Sequence, residues 1–200
     1  MPSAAALASR MAIAFRPKYL VMLGICAGIR DKVGLGDIIV ADPTWDWGSG
    51  KFGTDSEGAL VFLGAPYQKT LNPTVSQVAR DLLVDTKVLS AIRGGWPGPV
   101  PGGILAGAVG PLASGASVIS DTSLKDSINS QHKDLLGIEM EGYAVMAAAD
   151  YCKEPGPVAI VIKSVCDFAD SLKDNSWQAY ASYTSAQFAH HLFTSPNFNI

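Results

Sequence analysis

Two long, strongly apolar runs constrain the fold of this chain more than any other feature. The first, YLVMLGI, spans residues 19–25, and the second, PVAIVIKSV, spans residues 157–165. A strand that is apolar on both faces must be covered on both faces, as happens in the parallel sheets of α/β proteins. With 200 residues, 48% of them hydrophobic, the chain is long enough to bury such a sheet within one domain.

Helix-forming segments alternate with apolar runs along the chain. The pattern predicts further strands at residues 37–41, 104–109, 118–119 and 135–139, and helices at residues 4–15, 75–92, 140–152 and from 175 or 176 to 193. Residues 42–58 are predicted to form a long loop, in which Trp45 and Trp47 could contact either a neighbouring subunit or their own surroundings. Alternating strands and helices predict an α/β protein, with three αβα layers around a central mixed, mostly parallel sheet.

Composition excludes several classes of function. Only 16% of the residues are charged, the net charge is −3, and no cluster of Lys or Arg is present, so we expect no nucleic-acid partner. No apolar run approaches the ~18–20 residues of a membrane span, and the N-terminal segment lacks the pattern of a secretory signal, so we expect a cytoplasmic protein. The three cysteines and three histidines show no metal-ligand spacing, so we expect neither a metal nor a redox cofactor.

Two glutamates in the stretch GIEMEGYA follow the predicted strand at residues 135–139. If residues 139–141 are extended, Glu139 and Glu141 point to one side and Met140 to the other. If a helix begins near Glu139, the two glutamates diverge and only one can enter a pocket. A carboxylate here could accept hydrogen bonds from two neighbouring sugar hydroxyls. The alternative is that both acids stabilise the first turn of a helix through its dipole.

Two aspartates in the stretch KSVCDFAD follow the most apolar strand. Burial at that sheet edge would favour the protonated form of Asp167 and let this residue donate a proton near neutral pH. Asp170 could cap the next segment or position Asp167. The alternative for Asp167 is an ordinary Asx turn, and the sequence does not decide between the two.

Glycines flank the end of the first strand in the stretch GICAGIRDKVGLGD. The backbone amides near Gly24 and Gly28 could face an anion or a sugar, although the spacing is not that of a dinucleotide-binding loop. Asp37 lies at the start of a predicted strand, away from the expected active edge, and we expect it to be structural.

The order of these motifs resembles the nucleoside phosphorylase superfamily, which includes purine nucleoside phosphorylases and the nucleosidases of methylthioadenosine and S-adenosylhomocysteine. The resemblance rests on GICAG, then GD before an apolar strand, then SG at residues 114–115, then EMEG and finally SVCDFAD, and it runs from about residue 4 to the C-terminus. The stretch WDWGSGK at residues 45–51 is similar to a branch that occurs as a domain in larger signalling or defence proteins.

The resemblance implies roles for individual residues around a purine nucleoside. Glu141 would bind the ribose hydroxyls, Met140 would pack against the sugar, and Asp167 would deliver a proton to N7 of the base. Val118 falls where the nucleosidases place an aromatic residue against the base, and Ile25 falls where relatives carry Ser or Thr near phosphate or sugar. The remaining substrate-binding positions that we expect are Glu139, Cys166 and Cys26. The resemblance also implies a homo-oligomer, and phosphate as a co-substrate if the protein is a phosphorylase.

The resemblance also implies an N-terminal difference from the family. Relatives begin with additional strands that position the attacking water or phosphate, so we expect residues 1–200 to form one phosphorylase-like domain that is truncated at its N-terminus. The predicted function is cleavage of the N-ribosidic bond of a purine nucleoside, by hydrolysis or phosphorolysis. The alternatives are a nucleoside-binding sensor that has lost catalysis, and an α/β scaffold whose acids only cap helices.

Overall fold

The two long apolar runs of the sequence form strands, as predicted. A computed structural model describes residues 1–117, 122–169 and 175–198 of the chain. Its strands are β1 Tyr19–Gly28, β2 Ile38–Asp46, β3 Gly50–Thr54, β4 Leu60–Gly64, β5 Gly107–Ser114, β6 Gly137–Glu139 and β7 Val158–Asp167. Its α-helices are α1 Pro2–Phe15, α2 Pro73–Val84, α3 Thr86–Gly94, α4 Thr122–Ser130, α5 Gly142–Asp150 and α6 Gln178–Thr194. The expected strand at residues 118–119 and Asp170 lie outside the described residues.

Five of the strands form one sheet that closes on itself in the order β1–β6–β5–β2–β7. Three of its pairings, β1–β7, β2–β5 and β5–β6, are parallel, and the other two are antiparallel. The α/β class and the mixed, mostly parallel sheet are therefore confirmed. The closure was not predicted, and it distinguishes the sheet from the open middle layer of a three-layer sandwich. It depends on a short contact in which Ala27 and Gly28 pair with Ile138 and Gly137.

Helices cover both faces of β2, which explains why this strand is apolar throughout its first half. Ile38 and Val40 belong to a core cluster with residues of α2, α3 and α6, whereas Ile39 and Ala41 belong to a cluster with Met146 of α5. These four residues, which make up the first half of β2, are fully buried. Alternating residues of β2 thus face a group of helices on one side, and other strands together with Met146 of α5 on the other.

The tryptophan-rich segment was predicted wrongly as a loop. Strand β2 continues through it to Asp46, and β3 and β4 form an antiparallel hairpin beyond it. Trp45 is 1% exposed, stacks on His132 and donates a hydrogen bond from Nε1 to Gln131 Oε1 at 2.8 Å. Of the two alternatives for Trp45, local packing is therefore the one that the structure shows.

The helix predicted over residues 75–92 is divided in two at Asp85. This residue ends α2 in an extended conformation and begins α3, where its carboxylate accepts a hydrogen bond from Lys87 N at 2.8 Å. An acid that caps the second helix stabilises a break that helix propensity alone does not indicate. Within the described residues, no helix is long and apolar enough to cross a membrane.

Asp37 links three segments at the start of β2, in agreement with its predicted structural role. Its carboxylate accepts hydrogen bonds from Gly34 N at 2.7 Å and from Ala106 N at 2.9 Å. Burial raises the pKa of this carboxyl above its ordinary value, and the two backbone donors offset part of that effect. The residue fastens the turn before β2 to the segment that leads into β5.

We expect Asp37→Ala to lower the free energy of unfolding by about 1–3 kcal/mol, because two partly buried N–H groups lose their acceptor. Urea denaturation measures the change. Asp55→Ala is the matched control, since Asp55 also accepts two backbone N–H groups at 2.9 Å but lies exposed in its own turn. The control should lose less than about 1 kcal/mol. An equal loss in both variants would contradict the linking role of Asp37.

Candidate active site

A cavity of about 200 Å³ lies where β1, β6 and β7 end. Its lining includes residues from each of the three motifs that the sequence indicates, although these motifs lie far apart along the chain. The lining residues are Ile25, Cys26, Ala27, Ser117, Ile138, Glu139, Met140, Glu141, Cys166, Asp167, Ala169 and Gln178. Every residue that we expected to bind substrate therefore lies at one cavity, except Val118, which is outside the described residues.

A larger groove of about 690 Å³ lies between the end of α1 and residues 151–157. Its charged lining residues are Arg16, Lys153 and Glu154, and it contains no residue of the three motifs. The smaller cavity is the better candidate for an active site, because it brings three carboxyl groups together.

Glu139 is bound on all sides by hydrogen-bond donors. Its carboxylate accepts a hydrogen bond from Ser114 Oγ and hydrogen bonds from the backbone N of Glu141 and Gly142 at 2.8–2.9 Å. It also forms an ion pair with Lys163 Nζ at 2.9 Å. A carboxylate offers about four acceptor positions, and these four groups occupy them. We therefore expect Glu139 to stabilise the turn between β6 and α5 and the wall of the cavity.

Ser114, the last residue of β5, connects Glu139 to two further segments. Because its hydroxyl has one hydrogen and gives it to Glu139, it accepts from Tyr143 N at 2.8 Å and from Thr44 Oγ1 at 3.2 Å. Both hydroxyl residues are fully buried. The serine of the SG motif thus joins β2, β5 and the start of α5.

Lys163 lies behind the cavity and contacts both glutamates of the EME motif. Its side chain is 3% exposed, and its ammonium group lies 2.9 Å from Glu139 Oε2 and 3.3 Å from Glu141 Oε2. Burial alone would lower the pKa of Lys163, but the charges and hydrogen bonds of the two glutamates outweigh it and raise the pKa above its ordinary value. The residue is therefore a cation at neutral pH.

Glu141 differs from Glu139 in its exposure. It lies between the end of β6 and the first residue of α5, makes no side-chain capping hydrogen bond, and leaves 37% of its side chain exposed. Neither the extended nor the helical arrangement considered for the EME motif describes the motif fully. Residue 141 is at a helix N-terminus, and yet the carboxylates of Glu139 and Glu141 both contact Lys163. Glu141 is the glutamate that can meet a ligand.

Asp167 ends β7 and is 8% exposed. Its Oδ1 accepts a hydrogen bond from Ala169 N at 2.8 Å, which is the Asx turn that the sequence left open as an alternative to a catalytic role. The turn and a role at the cavity are compatible, because the turn fixes the orientation of the carboxyl group. The segment after β7 is held further by Arg30, whose guanidinium lies 4.4 Å from the ring centroid of Phe168.

A bulge between β1 and β7 places two thiols in the cavity wall. The strands pair in register up to Cys26 and Val165, and then Ala27 pairs with Asp167, so the register skips Cys166. The Sγ of Cys166 lies 3.5 Å from the carbonyl oxygen of Cys26. Burial raises the pKa of the Cys26 thiol well above its ordinary value, so this thiol is protonated and weakly polar.

Sequence patterns assigned no role to three residues of the site. Ser117 and Gln178 line the cavity, and Lys163 supports it together with Ser114 of the SG motif. Lys163 had a detectable signal, since it is the only charged residue in the apolar run at residues 157–165. Gln178 begins α6 and carries no signal, because only the fold brings it near the motifs.

Within residues 1–117, 122–169 and 175–198, no three His, Cys, Asp or Glu side chains are grouped to hold a metal ion.

We expect Glu139→Gln to lower the free energy of unfolding by about 3 kcal/mol, because it removes the closer partner of a buried ammonium group. Urea denaturation followed by circular dichroism measures the change. Glu154→Gln is the control, since Glu154 is exposed and accepts only a local hydrogen bond from Gly156 N. A Glu139→Gln variant as stable as this control would show that the buried carboxylate is dispensable.

Comparison with known proteins identifies similar sequences. A family model described as the phosphorylase superfamily matches residues 1–193. The chain is 43% identical over 175 residues to the protein y4jS of Sinorhizobium fredii, covering 88% of this chain and 42% of y4jS. It is 28% identical over 194 residues to the ATP nucleosidase Cap17 of Escherichia coli, covering 92% of this chain and 37% of Cap17. The chain thus spans about two fifths of the length of these curated relatives.

Solved structures share the fold. One is the 5′-methylthioadenosine/S-adenosylhomocysteine nucleosidase of Colwellia psychrerythraea in complex with adenine, with a TM-score of 0.73 and 17% identity over 96% of this chain and 72% of that one. Another is the futalosine hydrolase of Helicobacter pylori, with a TM-score of 0.71 and 16% identity over 95% of this chain and 73% of that one. At these identities the likeness concerns the fold alone.

Proposed function

Because the chain belongs to the phosphorylase superfamily, we propose that its cavity hydrolyses the N-ribosidic bond of a purine nucleoside. The observation that carries the proposal is that Glu141, Met140 and Asp167 line one cavity at the ends of β6 and β7. These are the residues that the motifs assign to the sugar and the base. A relative named as an ATP nucleosidase supports the same class of reaction.

On the base side, Asp167 acts as the general acid. The bond between C1′ and N9 breaks, its electron pair moves into the purine ring, and the proton of Asp167 goes to N7. Water adds its oxygen to C1′, and the proton that it releases restores the acid through solvent. The reaction parallels glycoside hydrolysis, in which an acid protonates the leaving group while a nucleophile approaches the opposite face. The Asx turn keeps the carboxyl group of Asp167 in one orientation throughout.

On the sugar side, Glu141 binds the 2′- and 3′-hydroxyls. Its carboxylate is partly exposed at the cavity, and Met140 lies beside it in the same lining. A negative charge at this position stabilises the positive charge that develops on the ribose as the bond breaks. The backbone N–H groups of Glu141 and Gly142 donate hydrogen bonds to Glu139. Glu141, which binds the sugar, therefore lies in a turn that these bonds hold in place.

Hydrolysis is favoured over phosphorolysis by the charge of the cavity. Among the described residues that line it, none is Lys or Arg, whereas Glu139, Glu141 and Asp167 carry carboxyl groups. A phosphate dianion would meet like charges without a cation in direct contact. Water has no such penalty. The aliphatic Ile25, where relatives often carry a hydroxyl residue, is consistent with this choice.

The size of the cavity limits which part of the substrate it encloses. About 200 Å³ is smaller than the ~300–1,000 Å³ that is usual for ligand pockets. We expect the base and ribose to be enclosed and the 5′ substituent to project outward. A nucleoside and its 5′-phosphorylated forms therefore both belong among the candidate substrates.

We expect Asp167→Asn to lower the rate of base release about 10²- to 10⁴-fold, because it removes the general acid. Binding of the nucleoside should persist, since Asn has nearly the same shape and keeps an oxygen for the Asx turn. Chromatography of the released purine measures the rate, and calorimetry measures binding. The control Asp134→Asn changes an exposed aspartate. Unchanged turnover in Asp167→Asn would refute the assignment.

Incubation with adenosine, inosine, guanosine, methylthioadenosine or ATP, each with and without phosphate, tests the reaction itself. Base release without phosphate supports the proposal. Release only with phosphate would show a phosphorylase, and binding without release would show a nucleoside-binding module. Because the chain spans about two fifths of its curated relatives, the same assay is applied to the full-length protein.

A further inference from the structure

We infer that Lys163 is a positioning residue, which holds the carboxylate of Glu141 in the orientation that ribose binding requires. The inference rests on the proposed function, and it adds a residue that none of the motifs assigns to the site. Lys163 lines no part of the cavity and would act only through Glu141.

Two carboxylates meet the ammonium group of Lys163, which has three N–H donors. Taking an ammonium group out of water costs several kcal/mol unless it is paired, and Glu139 supplies a partner that is itself almost fully buried, 2.9 Å away. The contact with Glu141 Oε2 at 3.3 Å is additional. It links a group that is wholly inside the protein to one that is 37% exposed at the cavity. Lys163 therefore connects the rigid support to the ligand-binding residue.

The main chain leaves room for this ammonium group. Gly24 of β1 lies directly opposite Lys163 in the register of the parallel pair β1–β7. A Cβ atom at residue 24 would stand 3.3 Å from Nζ and 3.6 Å from Cδ of the lysine. The absence of a side chain at Gly24 thus lets Lys163 extend across β1 toward the glutamates, next to the cavity-lining Ile25.

The charges of the three side chains explain why a cation is needed. Glu139 and Glu141 are two residues apart and both contact Lys163, so without this cation their like charges would repel each other and turn the partly exposed carboxylate of Glu141 away. With Lys163 present, the trio carries one net negative charge, which is available to the developing cation on the sugar.

One strand also supplies both halves of the site. Strand β7 carries Lys163 near its middle and Asp167 at its end. The support of the sugar-binding acid and the acid on the base therefore belong to one rigid element. A shift of this strand would move both together.

The test measures how much the ribose hydroxyls contribute to nucleoside binding, in variants that lack the general acid. In an Asp167→Asn background, calorimetry compares binding of adenosine with binding of 2′,3′-dideoxyadenosine. We expect Lys163→Met to weaken adenosine binding about 10- to 100-fold, in line with the loss of a charge-assisted interaction, and to leave dideoxyadenosine binding within about threefold. Lys163→Arg should restore most of the preference for ribose. Lys87→Met, which changes an exposed lysine of α3, is the matched control.

A second variant keeps the test valid if Lys163→Met does not fold. The double variant Lys163→Met, Glu139→Gln removes one buried charge of each sign and should fold, because replacing both members of a buried pair is often tolerated. It should still lose the preference for ribose, since Glu141 has lost its partner. Retention of that preference in the double variant would overturn the inference.

The outcomes separate the inference from the proposed function. If the unaltered chain binds adenosine without releasing adenine, and Lys163→Met loses the ribose preference, the proposed reaction fails and the role of Lys163 stands. If the unaltered chain releases adenine and Lys163→Met keeps both its ribose preference and its KM, the reaction stands and the role of Lys163 fails. If no purine ribonucleoside binds, both fail.

Discussion

The ion pair between Glu139 and Lys163 is the interaction on which the candidate site depends. Two opposite charges, both almost fully buried, lie 2.9 Å apart between β6 and β7. An uncompensated buried charge is strongly unfavourable, so each member of the pair stabilises the other in this position. The hydrogen bonds from Ser114 and from the turn at Gly142 complete the pair. The ends of β5 and β6 are thereby fixed to the middle of β7 before any ligand arrives.

The closed sheet brings these strand ends together. In an open parallel sheet the ends of β1, β6 and β7 would form a line, but here β6 pairs with β1 and the sheet returns on itself. The cavity lies at this junction and is walled by three strands instead of two. The bulge between β1 and β7 then turns Cys166 and Asp167 out of the regular register. Closure and bulge together give the site a concave form.

Local sequence predicted the elements and residues that depend on local chemistry. The runs that became β1 and β7 were recognisable because burial on both faces requires continuous apolar residues. The acids of the EME and CDF motifs were noticed because they follow apolar strands, and their assignment to a nucleoside site came from the resemblance to the nucleoside phosphorylase superfamily. Their chemical roles remain predictions. The break at Asp85 and the hairpin β3–β4 were not predicted, because a single cap and a short exposed pairing leave weak periodic patterns. Lys163 is noticeable in the sequence only as a charge within an apolar run, and its role, like the position of Gln178, depends on tertiary contacts.

The pairing of β1 with β7 has a consequence for how the molecule acquires its structure. Tyr19 is aligned with Val158, so the central pairing joins residues that are far apart along the chain. Contacts of such long range slow folding, because a large loop must close before the contact gives any stability. During synthesis the first strand must wait for most of the domain to be translated. A nascent chain therefore has neither the ion pair nor the cavity, and its apolar first strand is the segment most in need of protection from aggregation.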